Sequence, residues 1–261
     1  MRALWTAATG MMAQQTNVDV ISNNLANVNT TGFKKSRANF QDLLYSTLKT
    51  PGVQMGGGME LPVGIQIGSG VRTESVSKVF TQGDFASTEN PYDLVIEGDG
   101  FFQVMQPNGE TGYTRGGSFK VDSQGRLCTG EGYTMTPAIT IPQDATEVSV
   151  GADGTVSASY PNQAAATVVG NITIAKFSNP SGLLAAGHGI YKESSASGAP
   201  QVGAPGENGS GTIMQGFLEM SNVKVVEEMI NMITGQRAYE INAKAVTTSD
   251  EMLSTANRLK A

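Results

Sequence analysis

The sequence predicts an α+β fold in which long helices at the two chain ends flank an antiparallel β-rich middle. Three observations predict it. A stripe of apolar residues with a seven-residue period runs along residues 1–29, and a second runs along 222–259. Between them, short alternating runs are broken at close intervals by Gly, Asn and Asp turn signals.

The first stripe is formed by Leu4, Met11, Val18 and Leu25, with Ala7, Gln14, Ile21 and Val28 three residues behind each. Such an a/d pattern suits helix–helix contact, and Met, Ala and Leu favour helix. Gly32, after Asn29-Thr30-Thr31, is the expected terminator. Residues 46–70 are rich in Gly and Pro without a clean period, and read as an extended, partly irregular connector.

From 71 to 214 the signals are β. Candidate strands are 93–98, 101–105, 118–121, 126–128, 139–141, 148–150 and 171–174. Expected turns are Pro107-Asn108-Gly109, Asp122-Ser123-Gln124-Gly125 and Ala152-Asp153-Gly154. Residues 194–212 read as a polar Gly/Pro/Ser loop. The second helix carries Val225, Met232, Tyr239, Val246 and Leu253 every seven residues, broadened by Val226, Met229, Ile230 and Ile233. Ser221 is its candidate N-cap, and Gly235 weakens its middle by about 1 kcal/mol relative to Ala. The periodicity leaves two packings open: a globule with both helices laid on the sheet, or helices that pair with each other. Narrow heptad stripes favour the second, because packing on a sheet wants a wider apolar face.

Composition excludes several functions. The chain of 261 residues carries a net charge of −6. Residues 1–45 contribute +2, residues 46–214 contribute −7 and residues 215–261 contribute −1. There is no basic patch for nucleic acid, and the acidic excess places the middle towards water, with Glu89, Asp93 and Glu97 among its surface acids. One Cys (Cys128) and one His (His188) provide neither a disulfide framework nor zinc spacing. No apolar stretch is long enough to cross a membrane, and no cleavable signal-peptide pattern is expected. Gly56-Gly57-Gly58 lacks the Lys-Ser/Thr ending of a phosphate loop. Glu97 and Asp99 lie two apart at a strand end, where exposed turn carboxylates are the ordinary reading. Met11, Met12, Met229 and Met232 read as adaptable packing. No catalytic residue, cofactor or metal ligand is expected.

The segment Ile21-Ser22-Asn23-Asn24-Leu25-Ala26-Asn27-Val28-Asn29-Thr30 resembles the N-terminal signature of the flagellar rod and hook protein family. Glu219 to Val223 and Gln236 to Asn242 resemble its C-terminal segment, and GDFASTENPYDLVIEGDGFFQV with YTRGGSFKVDSQGRL resembles its β domain. The LWTAATGM opening and the connector at 46–70 are most similar to the distal rod members. The resemblance covers nearly the whole chain.

It implies paired terminal helices forming a coiled-coil inner domain, made of residues 1–45 and 215–261. It also implies a rod-type extension at 46–70 and an outer β domain at 71–214. The function implied is that of a structural subunit, a helical homopolymer serving as drive shaft. The partners implied are the chain itself, proximal rod proteins, the hook protein, the surrounding P-ring and L-ring proteins, and the flagellar type III export apparatus. The location implied is the periplasm-spanning basal body, without membrane insertion. The helix contacts expected are Leu4, Met11, Val18, Ile21, Asn23, Asn24, Leu25, Asn27 and Val28 on one helix. On the other they are Val225, Met229, Met232, Ile233, Arg237, Tyr239, Val246 and Leu253. Asn23, Asn24 and Asn27 are expected to hydrogen-bond between subunits, where buried amides fix register at a cost in stability. Each end is expected to pair weakly or stay mobile until assembly. The alternatives are a surface- or carbohydrate-binding β module with helical arms, and a proximal rod or hook subunit of the same family.

Overall fold

A computed structural model describes residues 2–50, 54–55, 59–60, 63–161 and 165–260. The Gly56-Gly57-Gly58 segment and parts of the expected connector lie outside the described residues. The chain opens with helix α1, Arg2–Ala26, and closes with helix α2, Val225–Lys260; the strands lie between them. The α+β expectation is therefore met. Neither helix is long and apolar enough to cross a membrane.

The chain divides into two compact units. One comprises 1–25, 36–77 and 224–261; the other comprises 26–35 and 78–223.

In the first unit α1 and α2 run antiparallel. Three contacts set their direction. Asn24 meets Glu228, Gly235 faces Val18, Gln14 and Asn17, and Gly10 faces Asn242. Residue numbers rise on one helix as they fall on the other. The helices thus pair within a single chain, rather than waiting for assembly. Their apolar faces are complementary, and the intervening chain is long enough to return the second beside the first. Among the described residues the unit also holds three two-stranded antiparallel ribbons, the shortest being Gln54–Met55 with Met59–Glu60. Ser36–Asp42 pairs with Val71–Lys78, and Tyr45–Lys49 pairs with Ile65–Gly68. Thr9 of α1 reaches this region, its hydroxyl accepting the Val71 N–H at 3.4 Å.

The second unit is built on a nine-stranded antiparallel sheet. Phe101–Met105 is central, pairing with Thr111–Thr114, Thr134–Met135 and Ile174–Lys176. Its core gathers Leu94, Ile96, Phe102, Val104, Phe119 and Ile213. A second cluster is aromatic, with Phe101 and Phe177 ring centroids 5.8 Å apart and Tyr113 and Phe177 4.8 Å apart, both edge-on. The expected turns form where Gly permits positive φ, as at Gly109 (φ 81°), Gly125 (φ 82°) and Gly154 (φ 83°).

Several local expectations are corrected. The helix N-cap is not Ser221: its hydroxyl accepts the Val223 N–H, and α2 begins two residues later. Gly32 does not end α1, which stops at Ala26. A turn closed by Thr30 N–H to Asn27 carbonyl intervenes. Gly32 (φ 68°) instead lies against the Arg115-Gly116 backbone, where a Cβ would meet Gly116 N at 2.5 Å. Residues 139–141 make an isolated bridge, Arg126 to Thr140, rather than a strand. The loop at 194–212 contains a strand, Gln201–Gly203, paired with Ile174–Lys176.

Candidate assembly surface

Helix α2 places its residues on two opposed faces. At 3.6 residues per turn, Glu228, Met232, Gly235, Asn242, Val246 and Leu253 fall on one side. That side meets α1 at Glu228, Gly235 and Asn242, and every one of these residues is buried or half-buried. Val226, Met229, Ile230 and Ile233 fall on the other side, and all are exposed; Val226 is 70 % exposed and Ile233 51 %. Arg237 continues the outer side one turn on and is exposed as well. The sequence stripe thus combined two faces. A helix apolar on opposite sides is suited to burial between neighbours, whereas a surface helix keeps one side polar.

Helix α1 shows the same division. Its covered side carries Ala7, Ala13, Ile21 and Asn24. Leu4, Met11, Val18 and Leu25 are half-buried. Trp5 and Met12 are exposed, with Asn23 on the same side. Asn27 and Val28 lie in the turn after the helix and are half-buried; the Asn27 carboxamide oxygen accepts the Thr30 hydroxyl at 3.2 Å. Val225 and Tyr239 are exposed.

Asn24 differs from the expectation of an intersubunit bond: its hydrogen bonds are made inside the chain. Its Oδ1 accepts the Ser36 N–H and its Nδ2 donates to the Ser36 carbonyl, both at 2.8 Å. Nδ2 also donates to Glu228 Oε2 at 3.3 Å. One buried amide therefore joins the end of α1, the first strand and the first turn of α2. Nothing in an Asn-rich helix end signals that a strand twelve residues on will supply the partner.

The second unit holds a buried charge cluster that sequence reading missed. Lys34 (0 % exposed) and Glu219 (1 %) form an ion pair at 2.6 Å, and Arg115 Nε lies 3.4 Å from the other carboxylate oxygen. Lys34 Nζ also donates to the Thr81 carbonyl at 2.7 Å, and Glu219 Oε1 also accepts the Gly83 N–H at 3.0 Å. Arg115 Nη2 donates to the Gly98 carbonyl at 2.7 Å. Burial pushes the Lys34 ammonium below its ordinary range, while Glu219 opposes that shift. Arg115 is likewise lowered, first by burial and against the pull of Glu219. The two cations and one carboxylate are far apart in sequence, which is a signal only in retrospect.

Glu97 and Asp99 are exposed. Asp93, read as a surface acid, is buried: the Asn90 amide donates to its carboxylate at 2.9 Å. Among the described residues no group of three or more His, Cys, Asp or Glu could hold a metal ion.

Comparison with known proteins matches three family profiles. "Flagella basal body rod protein" covers residues 4–34, "Flagellar hook protein FlgE/F/G D1 domain" covers 95–158, and "Flagellar basal body rod FlgEFG protein C-terminal" covers 214–259. The chain is 48 % identical to the flagellar basal-body rod protein FlgG of Borreliella burgdorferi over 262 aligned positions, covering 100 % of this chain and 99 % of the relative. It is 46 % identical to that of Caulobacter vibrioides, with 100 % of both chains covered. It is 40 % identical to that of Bacillus subtilis, with 100 % and 99 % covered.

Proposed function

The chain belongs to the flagellar basal-body rod protein family, as a structural rod subunit of the FlgG type, and on that premise we propose that it polymerises with its own copies into the distal rod. The polymer is a helical tube that carries torque to the hook. The observation that carries this reading is the doubly apolar α2. Its inner side is satisfied by α1, and its outer side, Val226, Met229, Ile230 and Ile233, has no cover within the chain's own helix pair. Exposing that much apolar surface is costly unless a neighbour removes it from water. Repetition of one head-to-tail contact gives an open helix wherever its rotation does not close a ring.

Leu4, Met11, Val18, Ile21, Met232, Val246 and Leu253 then hold the helix pair of one subunit. Asn23, Val225, Met229, Ile233 and Arg237 meet the neighbour, and Tyr239, which shares the α1 side of α2 by spacing but is exposed, joins them from the edge of the helix pair. The Tyr45–Lys49 and Ile65–Gly68 ribbon supports the same reading, as the stiffening extension of the shaft. Tyr45, Leu48, Ile65 and Ile67 are all exposed on it, and an isolated two-stranded ribbon is marginal in water. The partners proposed are the proximal rod proteins and hook at the tube ends, the P and L rings around it and the type III apparatus that exports it across the periplasm-spanning basal body. Electron microscopy of the concentrated protein tests the reading. Helical tubes are expected; a monodisperse monomer at every concentration would contradict it.

A further inference from the structure

The charge cluster sits where the chain leaves the second unit. The chain enters at 25/26, passes out at 35/36, returns at 77/78 and passes out again at 223/224. Each adjoining segment is held by this cluster or its neighbours. Lys34 precedes the exit at 35/36, Thr81 and Gly83 follow the return at 77/78, and Glu219 precedes the exit at 223/224. The network continues outward. Asn222 Oδ1 accepts the Lys35 N–H at 2.8 Å, and its Nδ2 donates to the Val79 carbonyl at 2.8 Å. The Val79 N–H donates to the Lys35 carbonyl at 2.8 Å, and the Gly32 N–H to the Glu219 carbonyl at 2.8 Å.

We propose that Lys34, Glu219 and Arg115 are positioning residues, which fix to one another the three segments by which the chain leaves this unit, and are not there to stabilise its core. Two observations support the distinction. The apolar core is formed by other residues, around Phe102 and Phe119. Each charge also bonds to the backbone or the charge of a different segment, so the cluster specifies which segments meet. Burying ions gives little net stability compared with apolar side chains of like volume, while removing one partner alone is strongly destabilising. The arrangement is incompletely satisfied, with Glu219 Oε2 and Arg115 Nη1 lacking a hydrogen bond among the described residues. That fits a cluster kept for geometry.

Hydrogen exchange on the full chain tests this, read at the amides of Gly32, Lys35, Val79 and Gly83 and, as the core reference, along Phe101–Met105. Lys34→Met is expected to speed exchange at the four segment amides on the order of a hundredfold and to leave the reference strand protected. The triple variant Lys34→Met, Arg115→Met, Glu219→Met leaves no buried charge unpaired. Its thermal midpoint is expected to return close to that of the natural protein, while the four amides remain fast. Natural protection at those amides in the triple variant would overturn the proposal. So would loss of protection along Phe101–Met105 in Lys34→Met, which would make the cluster a core stabiliser. Both readouts use the single chain, so the result stands apart from whether the protein polymerises.

Discussion

The Asn24 amide donates to the Glu228 carboxylate at 3.3 Å across 204 residues of chain, and the same amide pairs with both backbone groups of Ser36. Replacing it with Ala strands buried polar groups, and is expected to cost about 2–3 kcal/mol in chemical denaturation. Asn24→Asp is expected to be worse at neutral pH, because it sets a second carboxylate against Glu228 and removes the donor. Lowering the pH should relieve that excess, since one proton can then be shared between the two acids. Equal denaturation midpoints for Asn24→Ala and Asn24→Asp across pH would contradict the arrangement.

Gly235 governs how closely the helices approach. A Cβ there would lie 3.3 Å from Val18 Cγ2 and 3.6 Å from Gln14 Oε1. Gly235→Ala gains about 1 kcal/mol of helix propensity against a contact that must give by a few tenths of an ångström, so its net effect is expected to be small. Gly235→Leu overfills the seam and is expected to destabilise by about 1–3 kcal/mol. Urea titration of both variants checks the contrast.

Ile233 and Met232 are adjacent in sequence and about 100° apart around the helix, which leaves Met232 half-buried and Ile233 exposed. Ile233→Asp is expected to leave the thermal midpoint of the single chain nearly unchanged and to abolish tube formation. Met232→Asp is expected to lower the midpoint before assembly is reached. Leu25→Asp, on a half-buried residue, should affect both. Full-length tubes from Ile233→Asp would remove the outer side of α2 from the contact.

Asp122 closes a turn of the β-rich unit. Its carboxylate accepts the Gln124 and Arg126 N–H groups, each at 2.8 Å, and the Arg126 guanidinium at 2.9 Å. The backbone bond from Arg126 is the chief cause holding it below its ordinary value of 3.8. A carboxyl lowered on folding stabilises fully above its unfolded value and loses that contribution as pH falls through the folded value. Asp122→Asn is therefore expected to flatten the acid limb of a melting-temperature profile below about pH 4. Parallel acid limbs for variant and natural protein would contradict it.

Much of the fold was legible in local pattern. Phe101–Met105 and Leu94–Glu97 could be read as short, nearly continuous apolar runs, and Gly109, Gly125 and Gly154 marked turns because few other residues tolerate their φ. The helices were legible from the heptad, although α1 stops at Ala26 where the Asn-rich stretch turns. Strand Gln201–Gly203 was hidden, because it is short and polar and owes its state to pairing with Ile174–Lys176. The loss of a strand at 139–141 has the same origin: a partner, rather than composition, decides whether an alternating run joins a sheet.

By itself the sequence determined that this chain has long striped helices at both ends of a β-rich middle, because periodicity is a local property of the chain. It could not say which side of α2 would be covered and which left in water. Met232 and Ile233 are neighbours with similar side chains, and only the placement of α1 covers one and leaves the other in water. Tertiary structure likewise decided that Asn24 is spent on Ser36 and Glu228, and that Lys34, Arg115 and Glu219 meet. Hydrogen bonds and ion pairs between residues distant in sequence exist only once the chain has brought them together, and no spacing encodes them.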